Sequence, residues 1–435
     1  MTDTIFALST PPGRSGVAVI RLSGAGSGAI LDALAGKPRP RPREAALRRL
    51  RDRQNATLDR ALVLWFPGPA SFTGEDSAEC HVHGGEAVIE GVFEALRAEG
   101  ARPAEAGEFT RRAFENGKLD LTEAEGLADL IEAETEGQRE QALAQMGGAL
   151  KTLYEGWRED LIAILSAIEG EIDFPDEDDV PGALAATAGP GVGALIAALE
   201  THLDDDRRGE IVRRGFTIAI IGAPNAGKSS ILNRLARREA AIVTDIPGTT
   251  RDIVEVRLVL AGFPVILADT AGLREASDRV EAEGVRRALE RARDADLRLG
   301  VIDGTDKGAR PPDALRDGDI LIVNKSDLGA SDSLGAIAVS ATTGAGFDAL
   351  EAELSARVAA RLSRREAPAL SRARHREAVE AALSALRRGR ARLIDAPELA
   401  GEDVRLAIRA MESLTGRIDV EDVLDRVFSQ FCIGK

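Results

Sequence analysis

Apolar and polar positions follow two periods along this chain. Val17–Leu22, Ala61–Phe66, Ala78–His83, Phe216–Ile221, Pro264–Ala268 and Ile320–Val323 are short runs rich in β-branched or aromatic residues, and each reads as a buried strand. Thr4–Ser23 sets two apolar runs around a Pro-Pro-Gly turn, the pattern of paired entry strands. Glu86–Leu96, the Ala/Leu/Glu-rich stretch from Thr122 to about Glu171, Val192–Arg207 and Ser371–Phe428 instead repeat apolar residues at helical spacing. Thr122-Glu-Ala-Glu125 has the form of a capping box, with Thr122 as N-cap and Glu125 at N3, and Gly147-Gly148 loosens the helix that follows. Strands with a helix over 1–118 predict an α+β domain. Helical blocks over 119–214 and 361–435 flank alternating strands and helices over 215–360. One helical domain interrupted by an inserted α/β domain is the economical reading.

Candidate chemistry begins where the strand Phe216–Ile221 ends. Gly222, Gly227, Lys228 and Ser229 have the G-x-x-x-x-G-K-[ST] spacing, and Ile231–Leu235 continues as a helix. Such a loop turns backbone N–H groups inward around a phosphate. Lys228 adds a point charge, and the Ser229 hydroxyl can ligate Mg²⁺. Four further motifs follow in the order that a GTPase needs. Gly248-Thr-Thr-Arg-Asp252 supplies Thr250 for Mg²⁺ and the γ-phosphate. Asp269-Thr-Ala-Gly272 supplies Asp269 for the Mg²⁺ shell and the Gly272 N–H for the γ-phosphate. Asn324-Lys-Ser-Asp327 supplies the Asp327 carboxylate, which can accept from guanine N1–H and the 2-amino group and rejects adenine by leaving an acceptor unpaired. Ser340-Ala-Thr342 closes the base pocket. The predicted α/β domain is a doubly wound sheet with ligand at its carboxyl edge. Leu273 stands where a water-positioning glutamine follows the D-x-x-G glycine in Ras. No arginine finger is evident, and Glu275, Asp278 and Glu281 are three open candidates for positioning water.

Composition narrows this picture. The net charge of −16 disfavours a protein that coats nucleic acid non-specifically. Two cysteines, Cys80 and Cys432, are too few for a disulfide framework, so a reducing, cytoplasmic compartment fits; no apolar run is long enough for a membrane span. Only seven of the 56 basic residues are lysines, and Lys118, Lys228, Lys325 and Lys435 all fall in motifs. Lys37–Arg53 carries eight basic residues against two acidic; it reads as a solvated loop and helix face or as a patch for RNA phosphate. Arg21 interrupts an apolar strand, which means an edge position or a ligand contact, with the edge favoured on physical grounds. His81 and His83 share a strand face without enough further ligands for zinc, and Asp173–Asp179 reads as a solvated acidic loop. The apolar Phe428–Lys435 tail reads as a docked segment that brings Cys432 and Lys435 toward a site.

Taken together, these residues resemble the MnmE (TrmE) family of tRNA-modification GTPases over essentially the whole chain. The carriers are P-P-G-R-S-G-V-A-V-I-R-L-S-G at 11–24, S-F-T-G-E-D at 71–76, G-E-F-T-R-R-A-F-E-N-G-K-L-D-L at 107–121, the five GTPase motifs, D-T-A-G-L-R-E-A-S-D at 269–278 and the C-I-G-K tail. The resemblance implies an N-terminal α+β domain that binds folate and dimerises, a discontinuous helical domain, and an inserted Ras-like G domain. It implies GTP contacts at Asn225, Ala226, Gly227, Lys228, Ser229, Ser230, Thr244, Asp245, Ile246, Pro247, Gly248, Thr249, Thr250, Asp269, Thr270, Ala271, Gly272, Asn324, Lys325, Asp327, Ser340, Ala341 and Thr342. Mg²⁺ would rest on Ser229 and Thr250, and K⁺ on Asn225, Thr244, Ile246 and Thr249, where it replaces an arginine finger. Glu281 matches the family's water-orienting glutamate. Arg21, Glu79, Lys118 and Lys435 match folate-contacting positions, which reverses the edge reading of Arg21.

The resemblance further implies a homodimer, a heterotetramer with the flavin- and NADH-using partner MnmG (GidA), and tRNA as substrate. The product would be an aminomethyl or carboxymethylaminomethyl group at C5 of the wobble uridine. Its carbon would come from 5,10-methylenetetrahydrofolate, of which 5-formyltetrahydrofolate is an analogue, and its amine from ammonium or glycine. Cys432 matches a near-terminal family cysteine whose role as nucleophile, acid or packing group stays open. Ala223 replaces a commoner arginine, and 304–318 is short for a G-domain helix. Rival readings are a ribosome-assembly GTPase switch of the Era or Der kind, although no KH-type loop follows residue 360, and a folate-binding scaffold with a regulatory GTPase.

Overall fold

The computed structural model describes residues 3–36, 38–173, 184–238, 255–269, 293–306, 308–329, 335–363, 368–418, 421–429, 431 and 433–434. Its contacts form two compact units: Met1–Ala128 with Gln145–Val192 and Ser384–Lys435, and Asp129–Ala144 with Gly193–Leu383.

In the first unit the alternating runs become β1 (Ile5–Leu8), β2 (Ser15–Ser23), β3 (Ala46–Arg51), β4 (Thr57–Phe66), β5 (Ser77–Gly84) and β6 (Arg102–Pro103), in the sheet order β3-β4-β5-β2-β1-β6. One sheet face buries Ile20, Leu22, Val63, Cys80 and Val82 against α1 (Ser27–Ala35) and α2 (Glu86–Ala98). Cys80 is a core residue, and burial pushes its thiol up to about 12. Two expectations change here. β2 lies between β5 and β1, so Arg21 is not at a sheet edge. The basic segment expected as loop and helix face forms a loop and the edge strand β3, where arginines discourage edge-to-edge pairing.

After α3 (Glu108–Glu115) the chain enters α4 (Leu121–Glu132), α5 (Glu136–Met146) and α6 (Ala149–Asp173). The expected cap on Thr122 is overturned. Asp120 caps α4: its Oδ1 accepts from the Glu123 N–H at 2.7 Å, and Glu123 Oε2 accepts from the Asp120 N–H at 2.7 Å. Thr122 and Glu125 are instead buried inside the helix. The helical blocks continue in α7 (Leu184–Leu203) and α8 (Arg208–Arg214).

In the second unit β7 (Phe216–Gly222), β8 (Glu255–Leu260), β9 (Phe263–Asp269), β10 (Leu297–Asp303), β11 (Ile320–Asn324) and β12 (Ile337–Ala338) form a sheet in the order β12-β11-β10-β7-β9-β8. All neighbours are parallel except β8 and β9, which form a hairpin. Strands buried on both faces explain the near-continuous apolar runs. α9 (Lys228–Arg238) and α10 (Phe347–Leu362) share a core with β7, β9 and β10 through Ile231, Leu235, Leu350 and Leu354. The described residues between β10 and β11 form turns and no helix, as the short 304–318 segment predicts.

The chain ends in α11 (Ala373–Arg392), α12 (Pro397–Thr415) and α13 (Glu421–Phe428). α12 packs along α6, with Arg158 donating to Glu412 at 2.8 Å. No helix among the described residues is long and apolar enough to cross a membrane.

Candidate active site

β7 and β10 are neighbours, and β9 leaves β7 on its other side, so the chain reverses direction across the sheet at β7. That switch point is where a doubly wound sheet opens a crevice at its carboxyl edge. The phosphate loop sits there, between the end of β7 and the start of α9. Gly222 has no room for a side chain, because a Cβ would meet the Val301 carbonyl oxygen at 2.2 Å. Gly227 has φ +95°, and a Cβ would lie 2.1 Å from Asn324 Nδ2. The buried Lys228 ammonium folds back along the loop and donates to the carbonyls of Gly222 and Ala223, each at 2.8 Å. Ser229 and Ser230 are exposed in the first turn of α9. Asn225 is also exposed and holds φ +63° on the outer rim of the loop.

The two base-side motifs are tied to this loop by Asn324. Its Nδ2 donates to the Ala226 carbonyl at 2.9 Å, and its Oδ1 accepts from the Ala341 N–H at 3.1 Å. Asn324 is only 2% exposed, so its role is to hold three loops together. Ser340 is fully buried and its Oγ accepts from the Thr343 N–H at 3.1 Å, which closes the 340–345 turn. Asp327 stands exposed in the 3₁₀ turn Ser326–Leu328. Lys325 has φ +64°, and its Nζ lies 2.5 Å from Asp303 Oδ2 at the end of β10. Lys325 and then Thr305 hold the Asp303 carboxyl down at about 2. Sequence reasoning missed Asp303; a carboxylate at the C-terminal end of a parallel strand was the available signal.

Of the remaining nucleotide and cation candidates, Thr244–Thr250, Thr270–Gly272 and Glu281 lie outside the described residues, as do Leu273, Glu275 and Asp278. Asp269 ends β9, and its backbone pairs with Ile220 of β7.

A second group gathers in the first unit around the Ser71–Asp76 loop. Arg21 donates through Nε and Nη2 to Glu79 Oε1 at 3.1 and 3.0 Å, across the β2–β5 pair. Its guanidinium lies 5.7 Å from the ring centre of Phe72, which is 38% exposed, and 5.9 Å from that of Phe109. Glu79 Oε2 also bonds His81 Nε2 at 3.1 Å, while His83 Nδ1 bonds Asp59 at 2.8 Å. Gly74, at φ +81°, brings the loop against Asn116 and the Lys118 stem. A buried polar net fixes that loop: Ser23 Oγ bonds Thr73 Oγ1 at 2.6 Å and donates to Glu75 at 2.8 Å, and the buried Arg112 donates to Glu75 at 3.1 Å. Arg21 and Glu79 are thus paired beside the Phe72 ring, and the Lys118 stem lies against the same loop at Gly74. Lys435 and Cys432 lie outside the described residues. The tail does dock: Gly434 accepts from Ser9 Oγ at 3.0 Å, and Ile433 bridges Ala106. Arg112, Glu75 and Phe72 were missed because they lie inside motifs whose individual roles depend on the loop's fold.

Comparison with known proteins identifies the family. Residues 4–118 match the model of the "GTP-binding protein TrmE N-terminus", and residues 121–432 match that of the "MnmE helical domain". The chain is 67% identical over 438 residues to the tRNA modification GTPase MnmE of Maricaulis maris, with both chains fully covered. It is 57% identical over 439 residues to that of Parvibaculum lavamentivorans and 55% identical over 449 residues to that of Caulobacter vibrioides, again over the full length of each.

Proposed function

Because this chain belongs to the MnmE family of tRNA modification GTPases, we propose that it hydrolyses GTP with potassium in place of an arginine finger. The observation that carries this reading is Asn225: it is exposed, left-handed and on the outer rim of the phosphate loop, free of the contacts that occupy Lys228 and Asn324. A cation held there by Asn225 with Thr244, Ile246 and Thr249 would supply positive charge to the β–γ bridge in the transition state. Ser229 and Thr250 would hold Mg²⁺. Glu281 orients the attacking water, a role that Leu273 cannot fill, and the inorganic phosphate leaves with its bond to the β-phosphate broken. Asp327 reads the guanine edge.

The first unit supports the one-carbon half of the reading. Arg21 and Glu79 offer paired donors and acceptors beside the exposed Phe72 ring, the chemistry that a flat, hydrogen-bonding pterin needs. Lys118 and Lys435 would meet the carboxylates of a folate tail. The methylene carbon of 5,10-methylenetetrahydrofolate becomes the new substituent carbon at C5 of the wobble uridine, and MnmG supplies the redox step. The chain acts as a homodimer through residues 1–118 and as a heterotetramer with MnmG. The working division is 1–118, 119–214, 215–360 and 361–435, in the cytoplasm. Cys432 is a candidate acid or nucleophile for the one-carbon chemistry. Full-length relatedness to tRNA modification GTPases sets aside the ribosome-assembly alternative.

The test is mass analysis of wobble nucleosides in tRNA from a strain lacking this gene. Loss of the modified uridine, restored by the wild-type gene and not by Arg21→Ala, is expected. An unaltered uridine profile would overturn the reading. Equal GTP hydrolysis in Na⁺ and K⁺ would remove the potassium part alone.

A further inference from the structure

The helix that follows the phosphate loop carries an arginine that no GTPase motif contains. Arg234 of α9 lies nearly two turns after Lys228. Its Nη1 donates to the carbonyls of Ala341 at 3.0 Å and Thr342 at 3.1 Å, and its Nη2 to that of Thr343 at 3.1 Å. The guanidinium also lies 5.6 Å from the ring centre of Phe347, at the start of α10. Gly344 leaves room for it: at φ +91°, a Cβ there would come within 2.0 Å of Arg234 Nη2.

We propose that Arg234 is a positioning residue for the guanine-base loop, and that α9 is a strut fixing the distance between the phosphate end and the base end of the nucleotide site. Three consecutive carbonyls form an acceptor-only surface. A planar fork with several N–H donors matches it, whereas a lysine ammonium does so only as a point charge. The contacts close a ring. Ala226 of the phosphate loop accepts from Asn324, Asn324 accepts from Ala341, and Ala341 accepts from Arg234, whose helix begins at Lys228. Without Arg234 the loop keeps its own turn bonds and the Asn324 contact but loses its attachment to α9. The base contacts then loosen while the phosphate contacts stay.

This inference rests on reading 340–342 as the base loop. The test uses the full chain. Arg234→Ala should speed release of fluorescently labelled GDP by about tenfold and raise the KM for GTP similarly, with kcat within about twofold. Competition by inorganic tripolyphosphate, which touches only the phosphate loop, should stay unchanged. Arg234→Lys should recover only part of the loss. Gly344→Ala, which drives the guanidinium away from the other side, should reproduce the effect in a protein that keeps Arg234. GDP release within about twofold of wild type in both Arg234→Ala and Gly344→Ala would overturn the proposal. So would tripolyphosphate affinity falling in parallel with GDP affinity, because that is the mark of a general structural loss. A wild-type protein with no preference for GTP over ATP would remove the base-loop reading and the inference with it.

Discussion

Gly137, at the start of α5, donates its N–H to the carbonyl of Gly262 at 2.9 Å, and a Cβ on Gly137 would come within 2.4 Å of the Phe263 ring. Ala261 and Gly262 form the turn of the β8–β9 hairpin, and Phe263 begins β9. In sequence that hairpin joins the Gly248–Asp252 and Asp269–Gly272 motifs, so a helical segment grips the chain between two stretches proposed to contact the nucleotide. Gly137→Val should overpack this contact at a cost of about 1–3 kcal/mol. Hydrogen exchange should show reduced protection at 260–265, with protection of β7 retained. Unchanged exchange across the hairpin would mean that the contact holds nothing.

Asp120 and Glu123 cap α4 reciprocally, and Lys151 adds a contact to Glu123 at 3.2 Å. Asp120→Ala should cost about 1 kcal/mol and fray the first turn of α4, measured as faster amide exchange at 121–124. Thr122→Ser, at the position of the overturned cap, should leave that exchange unchanged.

Burial holds His202 of α7 down at about 4, against an ordinary 6.5, with Asp205, His375 and Arg376 as its ionisable neighbours. A histidine kept neutral in the fold takes up a proton more readily when unfolded. Stability is therefore present above pH 6.5 and is lost as pH falls from about 6.5 toward 4. The loss is at most about 3 kcal/mol. His202→Gln should flatten the pH dependence of the thermal midpoint over that window; an unchanged slope would assign the acid sensitivity elsewhere.

Asp327 is exposed and is proposed to read guanine by accepting two hydrogen bonds. Asp327→Asn replaces an acceptor by a donor, which fits the C2 carbonyl of xanthine. The variant should prefer XTP over GTP by about a hundredfold, reversing the wild-type order in steady-state hydrolysis. Retained GTP preference would place base recognition in other residues.

Glu281 is proposed to position water and not to bind nucleotide. Glu281→Ala should keep GTP affinity while turnover falls by at least about tenfold, or about 1.4 kcal/mol. Single-turnover hydrolysis separates the two, and an unchanged rate would return the choice to Glu275 or Asp278.

The sequence by itself determined the elements and the order of the nucleotide motifs. Those signals are local: a glycine at Gly227 answers a positive φ, and an apolar run such as Phe216–Ile221 answers burial on both sheet faces. It also determined the family, because the motifs that carry it are contiguous stretches. Only the tertiary structure decided which residues work together. The capping box reads as Thr122–Glu125 in sequence, whereas the fold caps α4 with Asp120 and Glu123. The choice fell to Asp120 because Thr122 and Glu125 are buried, and Gln145 donates to the Thr122 carbonyl at 3.0 Å. On local pattern alone Arg21 reads as an edge residue, and strand order places β2 between β5 and β1, which sets Glu79 across from it. Arg234 is an ordinary helix-surface arginine until the 340–345 turn, more than 100 positions later, presents its carbonyls. Propensity and motif act over a few residues, whereas strand order and the partner of a long side chain are fixed by which distant segments pack against each other.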